Sequence, residues 1–172
     1  MKAVALILVL AAAIVAPAQD ALREMQKLSW LVGQWKGTAT MVLGPNDTKK
    51  IEHIEDVQQR LGGLIIVVDG LGVDAADKEK VVHEAYGVIS YNTAKKAYEF
   101  KPYLATGQSA EAKVSVGDKE LTWTIEPAPG IEVRYKVRLT EKGEWHEVGE
   151  MTRDKGKTYF KFFETTLTKL EL

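Results

Sequence analysis

Ile131-Glu132-Val133-Arg134-Tyr135-Lys136-Val137-Arg138-Leu139-Thr140 alternates an apolar residue with a polar one at every step. Successive side chains of a β-strand point to opposite faces, so this stretch keeps Ile131, Val133, Tyr135, Val137 and Leu139 dry and the residues between them wet. A helix would scatter the same residues around its circumference. Pro127-Ala-Pro-Gly130 turns the chain back into Lys119–Glu126, where Leu121, Trp123 and Ile125 alternate with Thr122, Thr124 and Glu126. The same reading carried outward in both directions predicts ten strands, Trp35–Leu43, Lys50–Arg60, Leu64–Gly72, Val81–Tyr91, Ala97–Ala105, Ser109–Val116, Lys119–Glu126, Ile131–Thr140, Glu144–Arg153 and Lys157–Lys169. Turn chemistry separates them: Gly44-Pro-Asn-Asp47, Gly62-Gly63 as a two-residue hairpin, Asn92 to Lys95, Gly107, Gly117-Asp118, Glu141 to Gly143 and Asp154 to Gly156. A meander of that length removes its exposed edges by curling shut, which predicts an all-β, antiparallel up-and-down barrel in a single domain, residues 19–172 of the 172.

Ahead of the strands, Leu22, Met25, Leu28 and Leu31/Val32 fall at helical spacing, with Asp20 as the expected cap and Gly33 as the stop. This short helix is expected to close one end of the barrel. Residues 1–18 read as a signal peptide: Met1-Lys2, an apolar run from Ala3 to Val15, and Ala16-Pro17-Ala18 before Gln19. The run is shorter than the roughly 20 residues that span a bilayer, so an exported chain, periplasmic or secreted, with no integral membrane association after cleavage, is expected. The sequence has no cysteine, which excludes disulfides and a lipid-modified N-terminal cysteine. A formal net charge of −1 gives no electrostatic footprint for nucleic acid. Asn46-Asp-Thr48 matches a glycosylation triplet, which matters only in a eukaryotic secretory pathway.

Gly33-Gln34-Trp35 stands at the mouth of the first strand, and on these residues the chain resembles the calycin superfamily of lipocalin and fatty-acid-binding-like barrels. Leu31-Val-Gly-Gln-Trp-Lys-Gly37, Leu61-Gly-Gly63 and Ala85-Tyr-Gly-Val-Ile-Ser-Tyr91, in that order within residues 28–169, are similar to an uncharacterised bacterial lipocalin-like family. The resemblance implies that Trp35 plugs the closed end beside Gly33 and that a basic residue near the C-terminus packs over it. Lys169 stands where an arginine is expected. Ten strands resembles the fatty-acid-binding and nitrobindin-like branch more than the eight-stranded lipocalins.

Extending the alternation gives a lumen set for ligand binding: Met41, Tyr98, Phe100, Leu104, Trp123, Val133, Tyr135, Trp145, Glu147, Met151 and Phe163, with Trp35 at the plug. Aromatic and methionine side chains offer large, adaptable contact surfaces to an apolar guest, and equally to one another if the barrel is filled. Glu147 shares the face of Trp145 and Met151, so it is a polar anchor, a partner of Arg153, or part of a solvated rim with Glu144, His146 and Glu150. Glu55 is a second inward candidate. A nitrobindin resemblance implies haem held by a histidine on a late strand. His146 is on that strand, but its alternation with Trp145 turns it outward; the side taken by His53 is ambiguous, and His83 lies in a strand apolar on both faces. No nucleophile elbow, phosphate-binding glycine loop or paired-histidine metal motif is present, so catalytic and metal residues are not expected. The leading expectation is therefore a non-catalytic exported barrel, without a cofactor, whose partner is a small hydrophobic or amphipathic molecule. A haem-binding barrel with peroxynitrite or peroxide chemistry, and a filled barrel acting as an envelope interaction module, are the alternatives.

Overall fold

A computed structural model describes residues 17–171. Helix α1 (residues 17–26) and a 3₁₀ turn (Ser29–Leu31) lead into ten strands: β1 (Gly33–Gly44), β2 (Asp47–Arg60), β3 (Ile65–Asp74), β4 (Val81–Asn92), β5 (Ala97–Leu104), β6 (Lys113–Gly117), β7 (Glu120–Ala128), β8 (Ile131–Leu139), β9 (Trp145–Thr152) and β10 (Phe160–Lys169). Each strand runs antiparallel to its sequence neighbours, and β1 also pairs with β10, from Trp35 opposite Lys169 to Met41 opposite Phe163. The remaining seam, between β5 and the segment before β6, is held by the single bridges Phe100–Ala112 and Tyr103–Ser109. The result is a nearly closed ten-stranded barrel, as the alternation implies.

The closed end is built from sequence upward. Ala21, Met25, Leu28 and Leu31 are buried and cap the barrel over Trp35, Val57, Ile66, Ile89 and Leu167. Trp35 donates its indole N–H to the Leu31 carbonyl at 2.7 Å, which satisfies the one polar atom of a fully buried side chain. The Lys169 ammonium sits 5.2 Å from the Trp35 ring centroid, so lysine occupies the position implied for a basic residue. Gly33 has φ +132°, and a Cβ there would stand 2.5 Å from Lys169 Cε. The glycine before the tryptophan lets the lysine stem cross.

Several expectations need correction. Asp20 lies inside α1, paired with Arg23 three residues on, and does not cap it. The helix ends at residue 26, and the chain reaches Gly33 through a turn and the 3₁₀ segment. Leu22 is 39% exposed, because the buried stripe passes through Ala21 and Met25. Gly62-Gly63 is not a two-residue hairpin: Leu61–Gly63 forms a 3₁₀ turn and Arg60 pairs with Ile65. β6 begins at Lys113 because residues 109–112 are drawn onto β5 by the bridges. β10 begins at Phe160 because Asp154 holds the preceding loop, its carboxylate accepting from the Thr158 N–H and hydroxyl and from Thr152 Oγ1. Those donors pull the Asp154 pKa down to about 2. Except for Pro17 and Ala18, the expected leader lies outside the described residues. No described helix is long and apolar enough to cross a membrane.

Candidate functional site

Above the plug the barrel is hollow. A cavity of about 1490 Å³ opens at the end opposite α1, larger than the roughly 300–1,000 Å³ common for small-molecule sites. Its lining includes Met41, Phe100, Leu104, Trp123, Val133, Tyr135, Trp145, Glu147, Met151 and Phe163. The structure thus brings together all but one of the side chains that alternation nominates for the lumen. The exception is Tyr98. It faces inward but lies at the level of α1, where its hydroxyl is 3.0 Å from both the carbonyl and the carboxylate of Glu24. Burial and that carboxylate raise the Tyr98 pKa well above a phenol's ordinary value, keeping the hydroxyl a donor. Tyr98 pins the helix rather than a ligand. Leu104 stands at the rim, 47% exposed.

An aromatic belt crosses the cavity. Trp123 stacks on Tyr135, ring centroids 4.1 Å apart and planes 11° apart. Phe100 meets the Trp123 ring edge-on at 5.1 Å, and Phe162 meets Tyr135 at 5.7 Å. Glycines give these rings their space: a Cβ on Gly87 would stand 2.5 Å from the Phe100 ring, and one on Gly149 would stand 2.8 Å from Tyr135. Phe162 is a lumen residue that alternation misses. The β9–β10 register shifts between Lys161 and Phe163, and the bulge turns both Phe162 and Phe163 toward the cavity.

A polar cluster interrupts the apolar wall. His53, Glu55, His83 and Glu147 all line the cavity, so the two histidines face inward and Glu147 is buried rather than on a solvated rim. Two inward glycines of β3 account for the arrangement. Gly70 pairs with Glu55, whose carboxylate folds across it, 2.9 Å from where a Cβ would be. Gly72 pairs with both His53 and His83, leaving the two rings 6.3 Å apart with no side chain between them. Thr165 Oγ1 donates to the Thr38 carbonyl at 3.0 Å, so its lone pair accepts from His53 Nδ1–H at 3.1 Å. That assignment aims Nε2 at the Glu55 side.

His53 Nε2 and Glu55 Oε1 are 3.0 Å apart but badly aligned. The contact is a close electrostatic one and not a directed hydrogen bond. Glu55 Oε2 has no protein donor. Glu147 accepts from the Trp145 indole N–H at 3.1 Å and does not pair with Arg153. Burial, reinforced by the neighbouring Glu55 charge, pushes the Glu147 pKa up to about 7. Burial, with the nearby His53, lowers the His83 pKa, keeping that ring neutral at neutral pH. No described group of three or more ligating side chains is arranged to hold a metal ion.

The position implied for a haem ligand does not fit that group. His146 is turned to the outside of β9, its Nε2 3.2 Å from Glu164 Oε1. No lumen-facing ligand is available at this position.

No family model and no curated protein matches the chain. Solved structures do share its fold. Rv2717c from M. tuberculosis superposes with a TM-score of 0.60 at 15% identity, over 86% of this chain and 97% of that one. The S-type phycobiliprotein lyase CPES from Guillardia theta superposes with a TM-score of 0.56 at 10% identity, over 88% of this chain and 94% of that one. Both are lipocalin-like β-barrels, and at these identities the likeness extends to the fold alone.

Proposed function

We propose that the protein is a non-catalytic carrier that takes a small, mainly apolar molecule into its barrel and acts after export from the cytoplasm. The observation that carries this reading is the cavity itself: about 1490 Å³, closed by α1 and Trp35, walled by the belt from Phe100 to Phe162, and open at one end. A barrel meant only as a scaffold gains stability by filling such a space, since an empty apolar cavity forfeits dispersion contacts. Retaining it is reasonable where a guest supplies those contacts. The resemblance to an uncharacterised bacterial lipocalin-like family agrees with such a role, and the leader read in residues 1–18 supports export.

The test is native mass spectrometry of the protein purified from its own host, followed by mild denaturation and identification of what is released. A stoichiometric small molecule is expected, or else one-to-one uptake of the neutral dye Nile red by protein that purifies empty. Protein that purifies empty and also refuses the dye sinks the proposal. Haemin gives an independent readout: His146 is turned outward, so a sharp histidine-type Soret shift at one equivalent would favour the haem alternative through the lumen-facing His53 or His83.

A further inference from the structure

We infer that the molecule held in the lumen carries a protonated amine or comparable N–H donor, which seats between Glu55 and Glu147, and that fatty acids are disfavoured. The inference rests on the carrier reading above and names the class of guest.

It follows from a count of donors and acceptors in the lumen. Glu55 and Glu147 are each 7% exposed, and both line the cavity. They come from β2 and β9, on either side of the β1–β10 pair: Glu147 is opposite Thr165, whose hydroxyl meets the His53 ring at 3.1 Å, and that ring stands 3.0 Å from Glu55. Glu55 lines the cavity, and its Oε2 is buried with no donor from the protein. Glu147 has one indole N–H. The His53 contact is made by Oε1 and supplies no donor to Oε2. Arg153 is the one lysine or arginine among the described lining residues, and it is exposed, beyond the end of β9. His83 and the Tyr135 hydroxyl also line the cavity, but neither donates to Glu55 or Glu147, so Glu55 Oε2 is left without a donor and Glu147 with the indole alone. A buried acceptor without a donor costs free energy, and a cationic head group that supplies the donor recovers it with a charge-assisted bond. A carboxylate head would bring another acceptor and a negative charge to two glutamates already short of donors.

The apolar body has an equally definite seat. Trp123 and Tyr135 present the broad face of the belt beside the cluster, with Tyr135 opposite Gly149, two residues from Glu147 on the same face of β9. A molecule with an alkyl or ring body and one amino end fits both features at once.

The test compares dodecylamine, dodecanol and dodecanoic acid, which differ only at the head. Each is titrated below its micelle concentration into the full chain at mildly alkaline pH, followed by quenching of the cavity tryptophans, with stoichiometry from native mass spectrometry. One amine is expected to bind per chain, at least about tenfold tighter than the alcohol, as a charge-assisted hydrogen bond gives, with the acid weakest. Glu55→Gln and Glu147→Gln are each expected to shrink the amine-to-alcohol ratio to below about threefold. Asp69→Asn, on the exposed outer face of β3, is expected to preserve it and so controls for surface charge. Equal binding of the three ligands, or preference for the acid, overturns this inference while leaving the carrier reading intact. Binding of none overturns both. An amine preference that survives both glutamine variants overturns the assignment of the site.

Discussion

Glu147 is a carboxylic acid set into an apolar wall with an indole N–H as its hydrogen-bond partner, and its cost depends on pH. Its proton affinity in the folded chain, about 7, lies above the ordinary 4.5. The raised value means that the neutral acid supports the fold fully below the unfolded pKa and that this support is lost as pH rises through about 7. Glu147→Gln keeps an acceptor for Trp145 but cannot ionise. It should therefore be more stable than the parent by about 1 kcal/mol near pH 5 and about 3 kcal/mol near pH 8. Urea unfolding of both proteins across that range checks the growth of the gap, and a constant difference would contradict the burial argument. Trp35 makes the opposite case, a buried polar atom fully satisfied by the Leu31 carbonyl. Trp35→Phe removes the donor and strands that carbonyl, so a loss of about 2–3 kcal/mol is expected from the same assay. The tryptophan was legible in Gly33-Gln34-Trp35, since the motif marks a strand start and its resemblance to the calycins implies the plug. The inward turn of His53 and Glu55 was less so, because β2 carries apolar and polar residues on the same face. Their side is settled by Gly70 and Gly72 on the neighbouring strand, a cross-strand relation that no single-strand pattern contains.

Strand alternation is a strong signal for which way a side chain points and a silent one for how deep it lies. Ile131 to Leu139 reads correctly because β8 is regular over its whole pairing with β9. Tyr98 and Phe100 share a face of β5, yet one holds α1 and the other lines the cavity. Depth is set by register against strands far away in sequence, so the closed-end residue and the lumen residue look alike beforehand. Bulges erase the signal altogether, as at Lys161 to Phe163, where two successive phenylalanines both reach the lumen. Inward glycines are the element-scale device that makes the cavity usable. On β4, Gly87 underlies the Phe100 ring, and Gly87→Ala would place a methyl group within 2.5 Å of it. The ring would have to swing toward Trp123. The expected result is a loss of about 1–3 kcal/mol in stability, together with weaker one-to-one uptake of Nile red. Stability and dye affinity equal to the parent's would show that the belt is not packed as described.

At the scale of the whole barrel, closure is uneven. The β1–β10 seam is a continuous ladder from Trp35 to Met41, whereas the β5–β6 seam has two isolated bridges, with the Ala112 N–H donating to the Phe100 carbonyl at 2.9 Å and the Ala110 N–H to the Pro102 carbonyl at 3.1 Å. Ten strand-like runs were enough to predict a closed meander, but not which seam would be the loose one. β6 is the shortest strand, and the chain leading into it from Leu104 is a loop. Few cooperative hydrogen bonds must break to open such a seam, and local opening follows the least connected elements. Phe100, Pro102, Leu104 and Ala110 lie along the seam and also line the cavity, so opening it widens the entrance by moving the wall itself. The amides of Ala110 and Ala112 should therefore exchange with solvent at least about 100-fold faster than those in the β1–β10 ladder, through local rather than global unfolding. A bound guest touching Phe100 and Trp123 bridges the two sides of the seam, so occupancy should slow exchange there more than anywhere else in the barrel. Hydrogen exchange followed by mass spectrometry, with and without dodecylamine, reads both effects. Uniform protection around the barrel in the empty protein would mean that the two bridges are as strong as a full ladder, and that ligand enters only through the fixed mouth.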